Sequence, residues 1–289
     1  MRSQPLPQIG GKGLFTREIE EALLEGRAHL AVHSLKDLPT ELPPELILAA
    51  VPQREDPRDA LVSREGREGR VGKKLAELPR GARIGTSSIR RTAQLRRLRP
   101  DLCVEPLRGN LGTRLRKLRE GTLDAVVLAA AGLRRMGWGE QITQYFDAET
   151  LCPAVGQGAL GIEARAGDEA VLRTLVVLED PAARIAVTAE RALLKHLGGG
   201  CQVPIAALAR CEPGEIRLAA MVISPDGSQL VKTVESVPLM TTDKATQAAL
   251  DRAEALGRKA AENLLQQGAG KILQAVAEIQ GSLPSPQAP

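Results

Sequence analysis

The sequence predicts an α/β protein in which two α/β lobes are followed by a small α+β domain at the C-terminus. Strand-like apolar runs alternate with helical segments through the first 180 or so residues. Two loop-like segments, 53–57 and 153–161, interrupt that alternation, and turn-rich sequence follows Cys201. We therefore expect three domains, with domain 1 at 1–52 and 159–177, domain 2 at 58–152, and domain 3 at 180–289.

Domain 1 is expected to begin with an amphipathic helix that Gly26 ends, followed by strands at Leu30–His33 and Ile47–Val51. Domain 2 should contain four strands, at 60–63, 83–86, 103–107 and 124–129. The helices between them should run from a cap at Ser87 or Ser88 to Leu98, and from Leu111 to Arg119. This alternation predicts parallel sheets with right-handed crossovers.

Domain 3 should open with a helix that Asp180 caps, with Pro181 at its first position and glycines at 198–200 at its end. Turns at 212–214 and 225–227 separate short Val-, Ile- and Leu-rich runs, which predicts an antiparallel sheet. A helix from Asp243 to Gln266 should close the domain, followed by a frayed end.

The composition excludes several classes of protein. The chain has 289 residues, a net charge of +4, four cysteines and four aromatic residues. So few aromatic residues mean an aliphatic core, and they argue against a protein that binds single-stranded nucleic acid by stacking. No cysteine lies in a C-x-x-C pair, so we expect neither a disulfide scaffold nor a metal site, and we expect Cys103 and Cys152 to be buried. No segment has the length of a membrane helix or the pattern of a signal peptide, which predicts a cytoplasmic protein without membrane contact.

Several arginines lie where a helix does not favour them. Arg90 and Arg91 fall in the first turn of one predicted helix, and Arg108 and Arg114 lie at the start of the next. Cations there oppose the helix dipole, whereas an anion would be bound well. These four side chains therefore predict a pocket for carboxylates or phosphates. Other basic residues are interpreted as solvated helix faces, namely Arg96, Arg97, Arg99, Arg116, Lys117 and Arg119.

Three further residues could carry chemistry. Asp37 follows Lys36 at a strand end, where the pair could serve as a general acid or base or form a local charged turn. His33 is interpreted as structural. Cys201 follows three glycines, so its thiol is either accessible and tuned toward a thiolate or buried as a small apolar group.

Seven segments in order resemble the hydroxymethylbilane synthase (porphobilinogen deaminase) family. They are 10–15 (GGKGLF), 33–39 (HSLKDLP), 54–60 (REDPRDA), 85–91 (GTSSIRR), 107–110 (LRGN), 153–158 (PAVGQG) and 199–204 (GGCQVP). The resemblance implies periplasmic-binding-protein-like lobes, a dipyrromethane cofactor attached covalently to Cys201, and condensation of four porphobilinogen molecules with release of ammonia. Asp37 and Lys36 would be catalytic. The other implied site residues are Asp37, Thr86, Ser88, Arg90 and Arg91 at the cofactor, and Lys12, Arg108, Asn110, Arg114 and Gln157 at the substrate.

The resemblance also implies a strand and a helix ahead of Gly10, so the first lobe is expected to lack its first strand in the sequence as it stands. We expect a monomer that binds porphobilinogen and no nucleic acid. The alternative is a two-lobed protein that binds small anions without catalysis, which would explain the arginines but not Cys201. A nucleic-acid binder would instead show a steep salt dependence of affinity.

Overall fold

The computed structural model describes residues 12–64, 72–198, 203–239 and 245–281. Within them the helices are α1 (Lys12–Leu24), α2 (Ile89–Leu98), α3 (Leu111–Arg119), α4 (Ala130–Arg135), α5 (Glu169–Leu175), α6 (Pro181–His196), α7 (Gln247–Gln266) and α8 (Ala269–Gly281). The strands are β1 (Leu30–Ser34), β2 (Leu46–Ala50), β3 (Asp59–Ser63), β4 (Arg83–Gly85), β5 (Cys103–Glu105), β6 (Ala125–Ala129), β7 (Gln144–Tyr145), β8 (Leu160–Arg165), β9 (Ile205–Glu212), β10 (Glu215–Ile223) and β11 (Leu230–Pro238).

The strands form three sheets, so the expected arrangement of two α/β lobes and a third α+β domain is confirmed. The first sheet has the order β1-β8-β2, the second β5-β4-β6-β3-β7, and the third β11-β10-β9. Apolar residues pack on both faces of the second sheet, with Leu61 and Val127 on one face and Val62 and Leu128 on the other. In the third domain, α6 and α7 pack against the antiparallel sheet.

Capping residues mark the first residues of three helices. Ser88 caps α2 by accepting a hydrogen bond from the Arg91 amide, and Asn110 caps α3 by accepting one from the Thr113 amide. Asp180 caps α6, with Pro181 at the first position as expected. Within the described ranges, no helix combines the length and the apolar character needed to cross a membrane.

The prediction of parallel sheets is wrong for the first lobe and only partly right for the second. Strand β4 runs parallel to β5 and β6, but β3 is antiparallel to β6 and β7. In the first lobe β8 is antiparallel to both β1 and β2. Both reversed strands, β3 and β8, are those that the chain enters after it crosses between the lobes. A crossing chain arrives from the other lobe and therefore runs against its neighbours.

Three smaller expectations are also corrected. The helix expected from Asp243 begins at Gln247, and a further helix, α8, follows it that was not expected. The last residues, where fraying was expected, lie outside the described ranges. Cys103 is exposed rather than buried, because it lies on edge strand β5 of the second sheet. Arg99 is no solvated residue: it pairs with Asp101 and donates hydrogen bonds to the carbonyl oxygens of Leu75 and Leu78.

Two other arginines of α2 join the second lobe to the third domain instead of facing only solvent. Arg96 donates to the carbonyl oxygen of Pro225 at 3.1 Å, and Arg97 donates to that of Gly227 at 3.2 Å. A Cβ atom on Gly227 would lie 2.6 Å from the Ala93 carbonyl oxygen. The turn between β10 and β11 therefore packs closely on α2, which is the helix that carries Arg90 and Arg91.

The two segments that cross between the lobes are bonded to each other. The Glu55 amide donates to the Gly158 carbonyl oxygen at 3.1 Å, and Arg54 Nε donates to that of Gln157 at 3.0 Å. Arg135 of α4 also donates to Gly158, at 2.8 Å. The two crossings thus form one hinge between the lobes.

Glu190 of α6 ties this hinge to the third domain. Its carboxylate accepts from both amino groups of Arg54, at 2.6 and 3.1 Å, and from the backbone amides of Gly156 and Ala209, each within 2.8 Å. The side chain is fully buried. Hydrogen bonds to a charged group are among the strongest in proteins. Glu190 therefore fixes the position of the third domain relative to the two segments that cross between the lobes.

We expect Gly158→Ala to destabilise the protein through the hinge. Gly158 has φ +87°, and an added Cβ would press into the Glu55 carbonyl oxygen. Gly26→Ala is the matched control, since Gly26 has φ +73° but open space around it. Backbone strain costs roughly 1–3 kcal/mol at either site, and the clash adds to it only at Gly158. Urea unfolding midpoints measure the difference, and equal losses in the two variants would contradict a tightly packed hinge.

Candidate active site

The centre of the site is the buried carboxylate of Asp59, at the start of β3. Its oxygens accept hydrogen bonds from Arg90 Nη1 at 2.7 Å and from Arg91 Nε at 2.9 Å. Arg90 and Arg91 are 4% and 5% exposed, and Asp59 is fully buried. The first turn of α2 therefore carries its two cations into the protein toward a carboxylate, rather than leaving both free for a ligand.

Gln157 extends this network across the hinge to the first lobe. Its Nε2 donates to Asp59 at 2.9 Å and to the Pro57 carbonyl oxygen at 2.8 Å. Its Oε1 accepts from Arg91 at 3.3 Å and from Lys36 Nζ at 3.4 Å. The buried amide of Gln157 thus links the cations of both lobes to one carboxylate.

The electrostatics follow from burial and from these pairs. Burial alone would raise the pKa of Asp59, but the Arg90 and Arg91 guanidinium groups hold it well below its usual range. Burial lowers the pKa of Arg91, and Asp59 opposes that shift. Arg90 also donates to the Cys152 carbonyl oxygen at 2.6 Å, so its two terminal amino groups are both used within the protein.

Lys36 lies half-buried beside these arginines, in the short 3-10 helix Leu35–Asp37 that follows β1. Burial, followed by repulsion from Arg91, lowers its pKa to about 8, against the attraction of Asp37 and Asp59. A lysine of this kind exchanges protons near neutral pH, and in its charged form it attracts an anion strongly because little water screens it.

Arg114 brings the start of α3 toward Asp37. Its Nε donates to the Gly109 carbonyl oxygen at 2.8 Å. Burial lowers the pKa of Arg114, and the nearby carboxylate of Asp37 opposes that shift. The carboxylate of Asp37, on the first lobe, is therefore close enough to Arg114, on the second, to stabilise its charge.

The remaining predicted residues of the second lobe follow the ends of β4 and β5. Thr86 is buried and accepts from the Ser88 amide at 3.3 Å, whereas Ser88 and Asn110 cap their helices. Arg108 is exposed at the turn before α3. The helix starts and cations that the sequence predicted to form one pocket are thus brought to one edge of the second sheet.

Two predicted residues cannot be placed in this geometry. Cys201 lies outside the described residues, and for Lys12, the first residue of α1, only the backbone is described. Among the described parts of the chain, no group of three or more histidine, cysteine or acidic side chains is placed to hold a metal ion.

Sequence reasoning missed two residues on which this geometry depends, Asp59 and Glu190. Each carried a signal. Asp59 opens an otherwise apolar strand, and Glu190 lies on the buried face of α6 with Ala186, Val187 and Leu193. An acidic residue within an apolar pattern predicts a buried ion pair. Neither position, however, identifies its distant arginine partners.

The fold and the site define a protein of two α/β lobes and a third domain, whose cluster of cations around the buried carboxylate of Asp59 suits a small substrate rich in carboxylates or phosphates. Comparison with known proteins narrows this class. Residues 1–173 match the model of "porphobilinogen deaminase, dipyromethane cofactor binding domain", and residues 184–266 match that of the "porphobilinogen deaminase, C-terminal domain". The chain belongs to the porphobilinogen deaminase family.

Curated relatives agree along nearly the whole chain. The porphobilinogen deaminase of Roseiflexus castenholzii is 54% identical over 270 residues, which are 93% of this chain and 83% of the relative. Those of Syntrophotalea carbinolica and Brevibacillus brevis are 49% and 50% identical, over 94% and 93% of this chain and 81% of each relative.

We expect Asp59→Ala to destabilise the protein strongly. The change leaves Arg90 and Arg91 buried without their carboxylate, and breaking a buried pair in this way typically costs about 3–5 kcal/mol. Glu120→Ala is the control, because its pair with Arg116 is more than half exposed at both side chains, where such pairs contribute little. Urea unfolding checks both variants. A loss at Asp59 no larger than at Glu120 would show that the arginines find other partners.

Proposed function

We propose that this chain joins four porphobilinogen molecules head to tail into hydroxymethylbilane, with release of ammonia, in the biosynthesis of tetrapyrroles such as heme. The observation that carries the proposal is the position of Asp37 among the cations of the cleft, in a chain whose family model is that of a dipyrromethane-binding porphobilinogen deaminase. The substrate carries carboxylates and develops positive charge when ammonia leaves. A site with several cations and one carboxylate matches both requirements.

The described residues fit a dipyrromethane, which carries several carboxylates. Arg108 and Arg114 form no ion pair with a carboxylate in the described ranges, and burial together with repulsion from Arg91 lowers the pKa of Lys36. When bound, the cofactor supplies the pyrrole position at which the first porphobilinogen is joined. We propose that Thr86 and Ser88 lie beside its carboxylates and that Arg90 and Arg91 hold this end of the site in place through Asp59.

Cys201 is the attachment point in this proposal, and the other three cysteines are poor alternatives. Burial raises the pKa of Cys152 to about 12 and raises that of Cys211 as well, so both stay thiols. Cys103 is exposed but begins β5, whereas the cations gather where β4 and β5 end. Cys201 follows Gly199 and Gly200 at the end of α6, the helix that Glu190 bonds to the hinge.

Asp37 is the proposed catalytic residue. Ammonia leaves the aminomethyl group of porphobilinogen with the C–N bond electrons, and the pyrrole left behind carries positive charge. The carboxylate of Asp37 stabilises that charge, and in its protonated form it can donate a proton to the leaving amine. Lys36 holds a substrate carboxylate beside it.

Arg108, Arg114, Asn110 and Lys12 are the proposed substrate-binding residues, with Gln157 in support. Because the amide of Gln157 is used on both sides within the protein, we propose that it positions Lys36 and Arg91. Arg90 plays the same part through Asp59. We further propose that the chain acts as a monomer in the cytoplasm, without nucleic acid or membrane partners. The scarcity of aromatic residues, on which the bases of a single strand would stack, supports the proposed absence of a nucleic-acid partner.

We expect Cys201→Ser to abolish covalent loading. Protein purified from cells that supply porphobilinogen should exceed its sequence mass by one dipyrromethane, and the serine variant should not, since a hydroxyl is a far weaker nucleophile at neutral pH. Cys103→Ser, Cys152→Ser and Cys211→Ser are the controls and should keep the added mass. Intact mass spectrometry decides, and an adduct that persists in Cys201→Ser would refute the attachment.

We expect Asp37→Asn to leave binding and cofactor loading intact while kcat falls by about 10²–10⁴-fold, the usual contribution of a general acid or base. The amide keeps the shape of the side chain but neither its charge nor its proton. Glu45→Gln, at an exposed position of the same lobe, is the control and should keep full turnover. Near-normal kcat in loaded Asp37→Asn protein would assign the carboxylate a structural role.

We expect the apparent affinity for porphobilinogen to fall as the pH rises through about 8. The pKa of Lys36 is lowered to about 8, so above that pH the side chain loses the proton with which it attracts a carboxylate. Lys36→Arg should keep its charge and remove this fall from the pH profile of KM. Profiles that decline alike in both proteins would place the titrating group elsewhere.

A further inference from the structure

A second cationic cavity lies outside the cleft, between the first lobe and the third domain. Its volume is about 460 Å³, within the range of small-molecule sites. Four basic side chains line it, together with the hydroxyl-bearing side chains of two threonines. They are Arg191, Lys195 and His196 of α6, Arg258 of α7, Thr40 of the first lobe and Thr188 of α6. The lining also includes the acidic side chain of Glu254.

The charge in this cavity is only partly balanced. Lys195 pairs with Glu41 at 3.0 Å and Arg258 with Glu254 at 3.2 Å, but all four side chains are at least half exposed. Such surface pairs are weak and exchange readily for another anion. The negative end of the α6 dipole offsets roughly half a charge, which leaves the cations in excess.

Arg191 lacks an acidic partner altogether. Its two amino groups donate to the carbonyl oxygens of Leu38 and Pro39, at 3.1 and 2.6 Å, and it pairs with no carboxylate in the part of the chain that the structure describes. Burial, with repulsion from Arg184, lowers its pKa to about 10. An anion in the cavity would therefore supply a counter-charge that the protein itself does not.

We propose that this cavity binds a small polyanion with two or more carboxylate or phosphate groups. Lys195 and Arg258 form its principal contacts, His196 and the threonines add hydrogen bonds, and Arg191 carries the effect to the catalytic turn. Leu38 and Pro39 directly follow Asp37. An anion that attracts Arg191 therefore changes its hydrogen bonds to the Leu38 and Pro39 carbonyl oxygens, and with them the turn that holds the Asp37 carboxylate. The binding step is independent of the proposed activity, whereas the coupling step rests on the role of Asp37.

Titration calorimetry with pyrophosphate and, separately, with citrate tests the binding step and distinguishes phosphate from carboxylate ligands. We expect at least one probe to bind the cofactor-loaded protein with a Kd below about 1 mM. The double variant Lys195→Ala/Arg258→Ala should weaken that binding about tenfold or more, because each lost contact is a charged hydrogen bond. Arg217→Ala, an exposed arginine of β10 outside the cavity, is the matched control and should bind like the parent.

The cleft also attracts anions, so the double variant Arg108→Leu/Arg114→Leu separates the two sites. It should retain the calorimetric signal that Lys195→Ala/Arg258→Ala loses. Absence of binding by both probes, equal weakening by the control, or loss only in the cleft variant would each overturn the proposed site. Hydrogen exchange of residues 35–41 in the cleft variant tests the coupling. The saturating probe should change the exchange rate there at least about threefold, and an unchanged rate would overturn the coupling step.

Discussion

The buried carboxylate of Asp59 is the interaction on which the site depends. Arginines 90 and 91 occupy the start of a helix, where the dipole disfavours them, and they are buried as well. Without a carboxylate between them, this arrangement would carry two uncompensated charges in the interior. Asp59 offsets one of those charges and, through Gln157, is linked to Lys36 of the other lobe. One anion therefore sets the spacing of the cations on both sides of the cleft.

A single buried carboxylate likewise bonds several distant segments at the hinge. Glu190 bonds to Arg54 of the first crossing, to the Gly156 amide of the second, and to β9 of the third domain. In sequence, Cys201 follows shortly after His196, the last residue of this helix. Anchoring of α6 against the two crossings thus fixes the last described helix that precedes Cys201 in sequence.

Local features of the fold were predictable, whereas long-range pairing was not. The bounds of α2 and α3 follow from caps that lie beside them in sequence, and Asp180-Pro181 likewise marks the start of α6. Strands β3 and β8 were expected to be parallel to their neighbours because the alternation with helices is a local pattern. Their direction is instead set by the two crossings between the lobes. A short stretch of sequence does not show which distant strands the chain will pair with after each crossing.

The site shows the same division. A helix start unsuited to arginine correctly indicated an anion near Arg90 and Arg91, but the first anion found there belongs to the protein, 31 residues away in the chain. The helix dipole favours a negative charge at this position, but it does not determine whether the protein or a ligand supplies that charge. Arg108 and Arg114 have no such internal carboxylate partner among the described residues. In the function proposed above, the ligand's carboxylates are therefore left to these two arginines and to Lys36, and the buried arginines position Lys36 through Gln157.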